Sequence, residues 1–415
     1  VLLWGLSLGS IFHAQSLSAQ SEDYVLTVVD VSQTPSNQVR DAVARVTDAL
    51  QQHPQVEYRD LHQLLSTGEN DVAYGNIVSA RQAFKRGIDA YVLGDYEEAR
   101  QAFESSSLFV NTSFGYLTTP TLYVDTLLYL AGSQWHALDQ GIESMDYDYD
   151  DVRINLMQLL VKFPNLIYAR NRFDAGFNVF VDKIQQTVRS LPTGELFVDT
   201  ETGLPGVVHV DGKYRGITPL TVIDLPRGVH LIRVVSQGNQ VAQARAQVDP
   251  GLTSRVLVTL EPAPKGDLLL NQVNGLRNDL NREDERALNI FELKGLLFTD
   301  YVVLLRGQDG DNGVEVHAGL FSLLSGTRIR TVRSVIGSQS GPRPAGILAD
   351  QLLTVEEIDD GVQVGETSLT EKWWFWAGTA AVVTAGVITT VVLTRSEDVG
   401  PGYPQDGSGA LLIRF

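Results

Sequence analysis

Histidine is the side chain best suited to acid–base work near neutrality and to metal ligation. This chain has seven: His13, His53, His62, His136, His209, His230 and His317. They are scattered, and no two stand at the short spacing that would put two ligands on one metal. His209 and His230 fall in β-type runs and read as strand surface residues rather than bases. There is no HExxH, no Walker-type phosphate loop, no GxGxxG after a strand, no GxSxG turn between a strand and a helix, and no SxxK. The run Met145–Asp151, MDYDYDD, is acidic enough to suggest calcium, but it lacks the loop glycine and terminal glutamate of an EF-hand. It reads as a solvated loop between helices. Asp309 and Asp311 in QDGDNG read as a hairpin tip. Carboxylates are abundant, yet none singles itself out as half of a glycosidase pair. The expectation is no catalytic, cofactor-binding or metal-ligating residue, no cofactor, and no enzymatic activity.

Composition narrows the class. With 415 residues, 43% hydrophobic and 20% charged, the chain can form several domains with real cores. A net charge of −18 and the absence of any basic stripe argue against nucleic acid, whose phosphates need clustered Lys and Arg. Zero cysteines exclude disulfides, thiol chemistry and zinc–thiolate sites.

The elements follow in order. Val1–Gln20 is apolar and ends in small residues, the pattern of a secretory signal cleaved near Ala19. Residues 21–72 carry a buried strand, YVLTVVDV, then a helix with Val39, Val43, Val46 and Leu50 on one face, a second strand at Val56–Tyr58 and a short helix. Residues 73–190 are helical, with helices at Leu122–Leu138, Val152–Phe163 and Ala169–Val188. Residues 194–262 show short β runs punctuated by turns every eight to twelve residues or so. Pro262–Gly266 reads as a linker into residues 266–368, which hold helices to about Leu297, strands Thr299–Leu305, Val314–Phe321 and Thr327–Val335, and a loop at Gly337–Gly346. Trp373–Thr394, within residues 372–395, is uncharged, fronted by tryptophans and of the roughly 20-residue length that spans a bilayer. Ala377, Ala381 and Ala385 share one face of it, a spacing that lets helices associate in lipid. The tail 396–415 reads as flexible.

Three stretches resemble known families. VHVDGKYRGITPLTVIDLPRGVHLIRV resembles the PEGA domain, a small β-sandwich of bacterial envelope and surface proteins, through Val210, Asp211, Gly212, Gly216, Thr218, Pro219, Leu225, Gly228 and His230. ARQAFKRGIDAYVLGDYEEARQAFESSSLF resembles one tetratricopeptide repeat: Gly87 at the close approach, Gly94-Asp95 at the turn, Tyr96, Ala99 and Phe103 on the packing face, Ser106 as the later small residue, with Asn111 where the closing proline would stand. The order of elements in 24–65 and 275–353, with Thr299–Val303 and Leu324–Thr327 as the marks, is similar to the α/β domain of TolB amino-terminal and curli-secretion proteins. That likeness implies one discontinuous α/β domain with the helical and β parts inserted.

The expected fold is thus multidomain α+β with a single C-terminal transmembrane helix. The expected protein is a non-enzymatic scaffold with its body in the periplasm, anchored through Trp373–Thr394. It would bind other envelope proteins through its helical-repeat and PEGA-like parts and self-associate through Ala377, Ala381 and Ala385. The alternative is a membrane-tethered module for cell-wall glycan (peptidoglycan), for which Phe197 and Tyr214 are the few aromatics suited to sugar stacking.

Overall fold

The computed structural model describes residues 24–66, 69–141, 147–282, 287–337 and 341–354. The signal-like start Val1–Gln20, the segment Trp373–Thr394 with Ala377, Ala381 and Ala385, and the tail lie outside them. Among the described residues no helix is long and apolar enough to cross a membrane. Among the described residues the architecture is mixed α+β, with three sheets and several helices.

The chain enters through β1 (Tyr24–Asp30), α1 (Asn37–Gln51), β2 (Val56–Tyr58) and the single turn α2 (Leu61–Leu64). Ser36 caps α1, its hydroxyl accepting from Val39 N, and Asp60 caps α2 by accepting from His62 N. Val39, Val43, Val46 and Leu50 are all buried, as their helical spacing requires. Each contributes roughly 1.5–3 kcal/mol by leaving water.

Five helices follow: α3 (Glu69–Leu93), α4 (Tyr96–Thr112), α5 (Thr121–Asp139), α6 (Tyr149–Lys162) and α7 (Ala175–Arg189). Each packs on the next around a core that includes Phe103, Tyr123, Leu127, Leu156, Leu160 and Phe177. Gly87 is where α3 and α4 touch; a Cβ there would lie 2.6 Å from the Phe103 ring. Gly94, at φ +81°, turns the chain between them. The hydroxyl of Ser106 on α4 is buried and donates to Ala80 O on α3 at 3.0 Å, with Thr126 Oγ1 on α5 at the same distance. Part of the acidic run, read as loop, proves helical: Asp148 and Asp151 form a reciprocal capping box that starts α6.

Next comes a β-sandwich: β3 (Thr193–Thr200), β4 (Val207–Val210), β5 (Lys213–Ile217), β6 (Leu220–Pro226), β7 (Gly228–Val235), β8 (Ala242–Val248) and β9 (Thr253–Val258). Its sheets run β6-β3-β9 and β5-β4-β7-β8. Leu196, Val198, Val208, Val210, Ile232 and Val234 face one another between them. Asp211 and Gly212, both at positive φ, make the tight β4–β5 turn.

Two helices, α8 (Gly266–Asn281) and α9 (Leu288–Glu292), lead to β10 (Tyr301–Gly310), β11 (Gly313–Ser322), β12 (Thr327–Ile336) and α10 (Arg343–Leu353). The sheet order is β12-β11-β10-β1-β2, so the chain's first strand sits beside β10, parallel, from Leu26↔Tyr301 to Asp30↔Leu305. One face packs α1 and α10, the other α2, α8 and α9. Two readings are corrected. The β10–β11 ladder runs to Gly310↔Gly313, so only Asp311-Asn312 turn and Asp309 lies in the strand, accepting from Ser36 Oγ at 2.9 Å. The Gly337–Gly346 stretch is not all loop, because α10 begins at Arg343 with Pro344 in its first turn, where the missing N–H costs nothing.

Candidate functional site

The sandwich does not hang from a tether. It is wedged between the α/β sheet and the helices, and the wedge is polar. On β7, Arg233 donates through Nε to Gly115 O at 2.7 Å, in the turn after α4, and through Nη2 to Asp60, the α2 cap. One side chain thereby joins all three parts. Gln237 reads the end of β1 as a neighbouring strand would: its Oε1 accepts from Asp30 N and its Nε2 donates to Asp30 O, both at 2.8 Å. Tyr214 donates to Asp41 on α1 at 2.6 Å, and His62 Nδ1 lies 3.0 Å from Asn239 O. Toward the helices, Gly115 N donates to Gln243 Oε1 at 3.0 Å and Gln63 Nε2 to Tyr116 O at 2.6 Å.

Behind these contacts lies a cleft of about 120 Å³ between α1, the carboxyl ends of β1 and β2, and strands β4, β5 and β7. Apolar side chains such as Val28, Val43 and Val235 make part of its wall; Asp30, Arg40, Asp48, Tyr58, His62 and His209 supply its polar groups. Burial raises the Asp30 carboxyl above its ordinary range, with Ser32 and Arg40 opposing, and burial likewise raises Asp48. Asp60 goes the other way: burial would raise it, but the Arg233 guanidinium and His62 outweigh that and hold it low. Burial keeps His62 below its usual value, so the neutral ring donates through Nδ1 to the Asn239 carbonyl. Burial and the charge of Arg233 push His209 down to about 3, and its Nδ1 is buried without a hydrogen-bond partner. A second, smaller recess on the other side of His209 is lined by Tyr123, Phe163 and Asp211.

Two histidines differ from the surface role expected of them. His230 is fully buried, with Nδ1 2.6 Å from Asp211 Oδ2 and Nε2 2.7 Å from Pro226 O. Asp211 also accepts from Leu231 N at 2.9 Å, so the Asp-Gly turn is pinned to β7 from inside the sandwich. His209 stands beside Arg233 across the β4–β7 ladder and points into the cleft wall. Alternation placed both on strands, but which face was covered depended on what docked there. Apart from His62, which shares the cleft with His209, the other described histidines stand separately: His53 meets Asp350, His136 meets Asp174, and His317 lies among Arg306, Arg328 and Arg333. Among the described residues no group of histidines and carboxylates is placed to hold a metal. Sequence reasoning passed over Asp30, Arg40, Asp48 and Tyr58; only the position of Asp30 at the end of a parallel strand could have flagged any of them.

Residues 193–264 match the PEGA domain, a family associated with periplasmic and envelope proteins. No curated protein matches the chain.

Proposed function

We propose that this chain is a non-enzymatic interaction scaffold of the bacterial envelope, its body exported and its PEGA and helical parts presented to other envelope proteins. The observation that carries this reading is the PEGA domain's placement: Arg233, Gln237 and Tyr214 lock it to its neighbours, giving a preformed composite surface. The α3–α4 hairpin, read as tetratricopeptide-like, supports it by exposing Val92, Leu93 and Leu108, apolar side chains suited to a protein partner. Anchoring through Trp373–Thr394, and pairing through Ala377, Ala381 and Ala385, belong to the same proposal.

The glycan alternative has less support, because Tyr214 is engaged with Asp41 and Phe197 lies under Arg255. The two readings separate in one experiment. Wild type and a Leu93→Glu/Leu108→Glu variant are used for affinity capture from detergent-solubilised envelopes, beside sedimentation with purified peptidoglycan. A protein partner captured by wild type and lost in the variant is expected. Sedimentation with glycan and no partner would overturn the scaffold reading. Protease accessibility in spheroplasts checks the exported body, and chemical crosslinking of an Ala377→Leu/Ala381→Leu/Ala385→Leu variant checks the pairing.

A further inference from the structure

The cleft under the PEGA domain has an unusual charge inventory. Three of its ionisable side chains, Asp30, Asp48 and Arg40, form no ion pair among the described residues, although they line one recess. Asp30 accepts from Ser32 N at 2.8 Å and Asp48 from the Gln52 amide at 2.9 Å, both neutral donors. Arg40 donates its backbone N–H to Ser36 O, but its guanidinium makes no hydrogen bond among the described residues, and its Nε is buried. Elsewhere at the same junction the charges are matched, as Arg233 with Asp60 shows. Folded chains seldom leave charges of both signs unpaired in one recess, because desolvating an ion costs several kcal/mol that a partner must offset. The Arg40 charge favours an ionised Asp30, yet among the described residues no ion pair joins the guanidinium to either carboxylate.

The position of the recess is a second and independent observation. Asp30 ends β1 and Tyr58 ends β2, and β1 is parallel both to β2 and to β10. The chain leaves β1 over α1 on one face, whereas α8 and α9 cover the other face before β10. That arrangement places the recess at the carboxyl ends of parallel strands where the connections diverge, the place at which open α/β sheets bind small molecules. The PEGA strands β4, β5 and β7 close it from above.

We propose that this cleft binds a free α-amino acid, its carboxylate on Arg40 and its ammonium between Asp30 and Asp48, with Val28, Val43 and Val235 against its side chain. A zwitterion supplies what each unpaired group lacks, a carboxylate for the guanidinium and an ammonium for the carboxylates. A simple anion would face two carboxylates, and a simple amine would leave Arg40 unmatched. The volume of about 120 Å³ suits a molecule of amino-acid size and excludes a folded partner or a glycan chain. The Tyr58 hydroxyl and the neutral His209 add hydrogen bonds without adding charge. Because the lid is the PEGA domain itself, occupancy would tighten its seat on α1, coupling a small molecule to the surface the protein displays. The site stands independently of which partners that surface meets.

The test uses the full chain. Thermal unfolding and titration calorimetry are run with L- and D-alanine, L-lysine and L-glutamate, against sodium acetate and methylamine as the separated halves. At least one amino acid is expected to raise Tm saturably and to bind with Kd at or below about 1 mM, while acetate and methylamine do neither. Arg40→Met and Asp30→Asn are each expected to weaken that binding at least about tenfold. Asp48→Asn, whose hydrogen-bond partner Gln52 is one turn away at the end of α1, carries the same expectation should the others perturb folding. No saturable response to any of the amino acids would overturn the proposal. So would binding unchanged in folded Arg40→Met or Asp48→Asn, or an equal response to acetate or methylamine alone.

Discussion

Replacing Arg233 with methionine tests whether the junction is held by a desolvated ion pair. The substitution keeps most of the apolar stem and removes the guanidinium that faces Asp60 and Gly115 O. Asp60 is buried, with 3% of its surface exposed, so its charge would be left without its main partner. Breaking one side of such a pair costs about 3–5 kcal/mol, of which roughly 1 kcal/mol is the lost Gly115 hydrogen bond. The sign of the pH dependence should change with it. In the wild type Arg233 and His62 overcome burial and hold the Asp60 carboxyl low; its ionised form stabilises the fold above the ordinary carboxylate range, and that contribution is lost as pH falls through the depressed value. Without Arg233, burial is opposed only by His62 and the backbone N–H groups of His62 and Gln63, so the carboxyl shifts upward, and the variant's deficit should be largest at pH 7.5 and shrink toward pH 5 as Asp60 takes up a proton. Adding Asp60→Asn removes the stranded charge while an amide oxygen still caps α2, and the double variant should recover at least half of the loss. Urea unfolding followed by circular dichroism measures each value, and limited proteolysis reports whether the PEGA domain has come loose. A single-variant loss below about 1 kcal/mol, a double variant no better than the single, or a deficit flat between pH 5 and 7.5 would refute the reasoning.

Other expectations follow from the same geometry. Gly87→Val must push α3 off the Phe103 ring and should cost about 1–3 kcal/mol, read as a lower Tm with the helical content retained. Burial raises the Asp125 carboxyl to about 6, with Arg172 opposing; its ionisation therefore destabilises the fold as pH rises through that value, and Asp125→Asn should raise Tm at pH 7.5 but make no difference near pH 3. His209 is lowered by burial and Arg233, so its neutral ring supports the fold above the ordinary histidine range and that support is lost on acidification. Between pH 7 and pH 5 the wild type should lose about 1–2 kcal/mol more than His209→Gln, measured by urea unfolding at each pH. His230→Leu strands the buried Asp211 and should cost about 2–4 kcal/mol, whereas Val229→Thr, one residue away on the exposed face, should cost little in the same assay.

Local chemistry wrote a good deal of this protein into its sequence. Period-3.6 apolar positions in α1, the Gly94-Asp95 break between α3 and α4, and the Asp211-Gly212 and Asp311-Asn312 turns are decided by residues close together in the chain. So was the PEGA stretch, whose turn residues and alternating valines dictate strands before any partner is known. Where local cues mislead, a distant neighbour had the deciding voice. Helix α10 follows a Gly/Ser/Pro-rich stretch, and its apolar face is buried only because β12 and α1 lie across from it. His230 looks like any polar strand residue until Asp211, brought back by a turn, offers it an oxygen inside the sandwich. The cleft is the extreme case. Asp30, Arg40, Asp48, Tyr58, His209 and Arg233 span two hundred positions of sequence and share no motif. They meet because β1 pairs with β2 and because Gln237, Arg233 and Tyr214 seat the PEGA domain on α1. Backbone propensity and apolar spacing are short-range properties and survive in the string of letters. Desolvation and charge pairing depend on what else is within a few ångströms, and only the folded chain sets that.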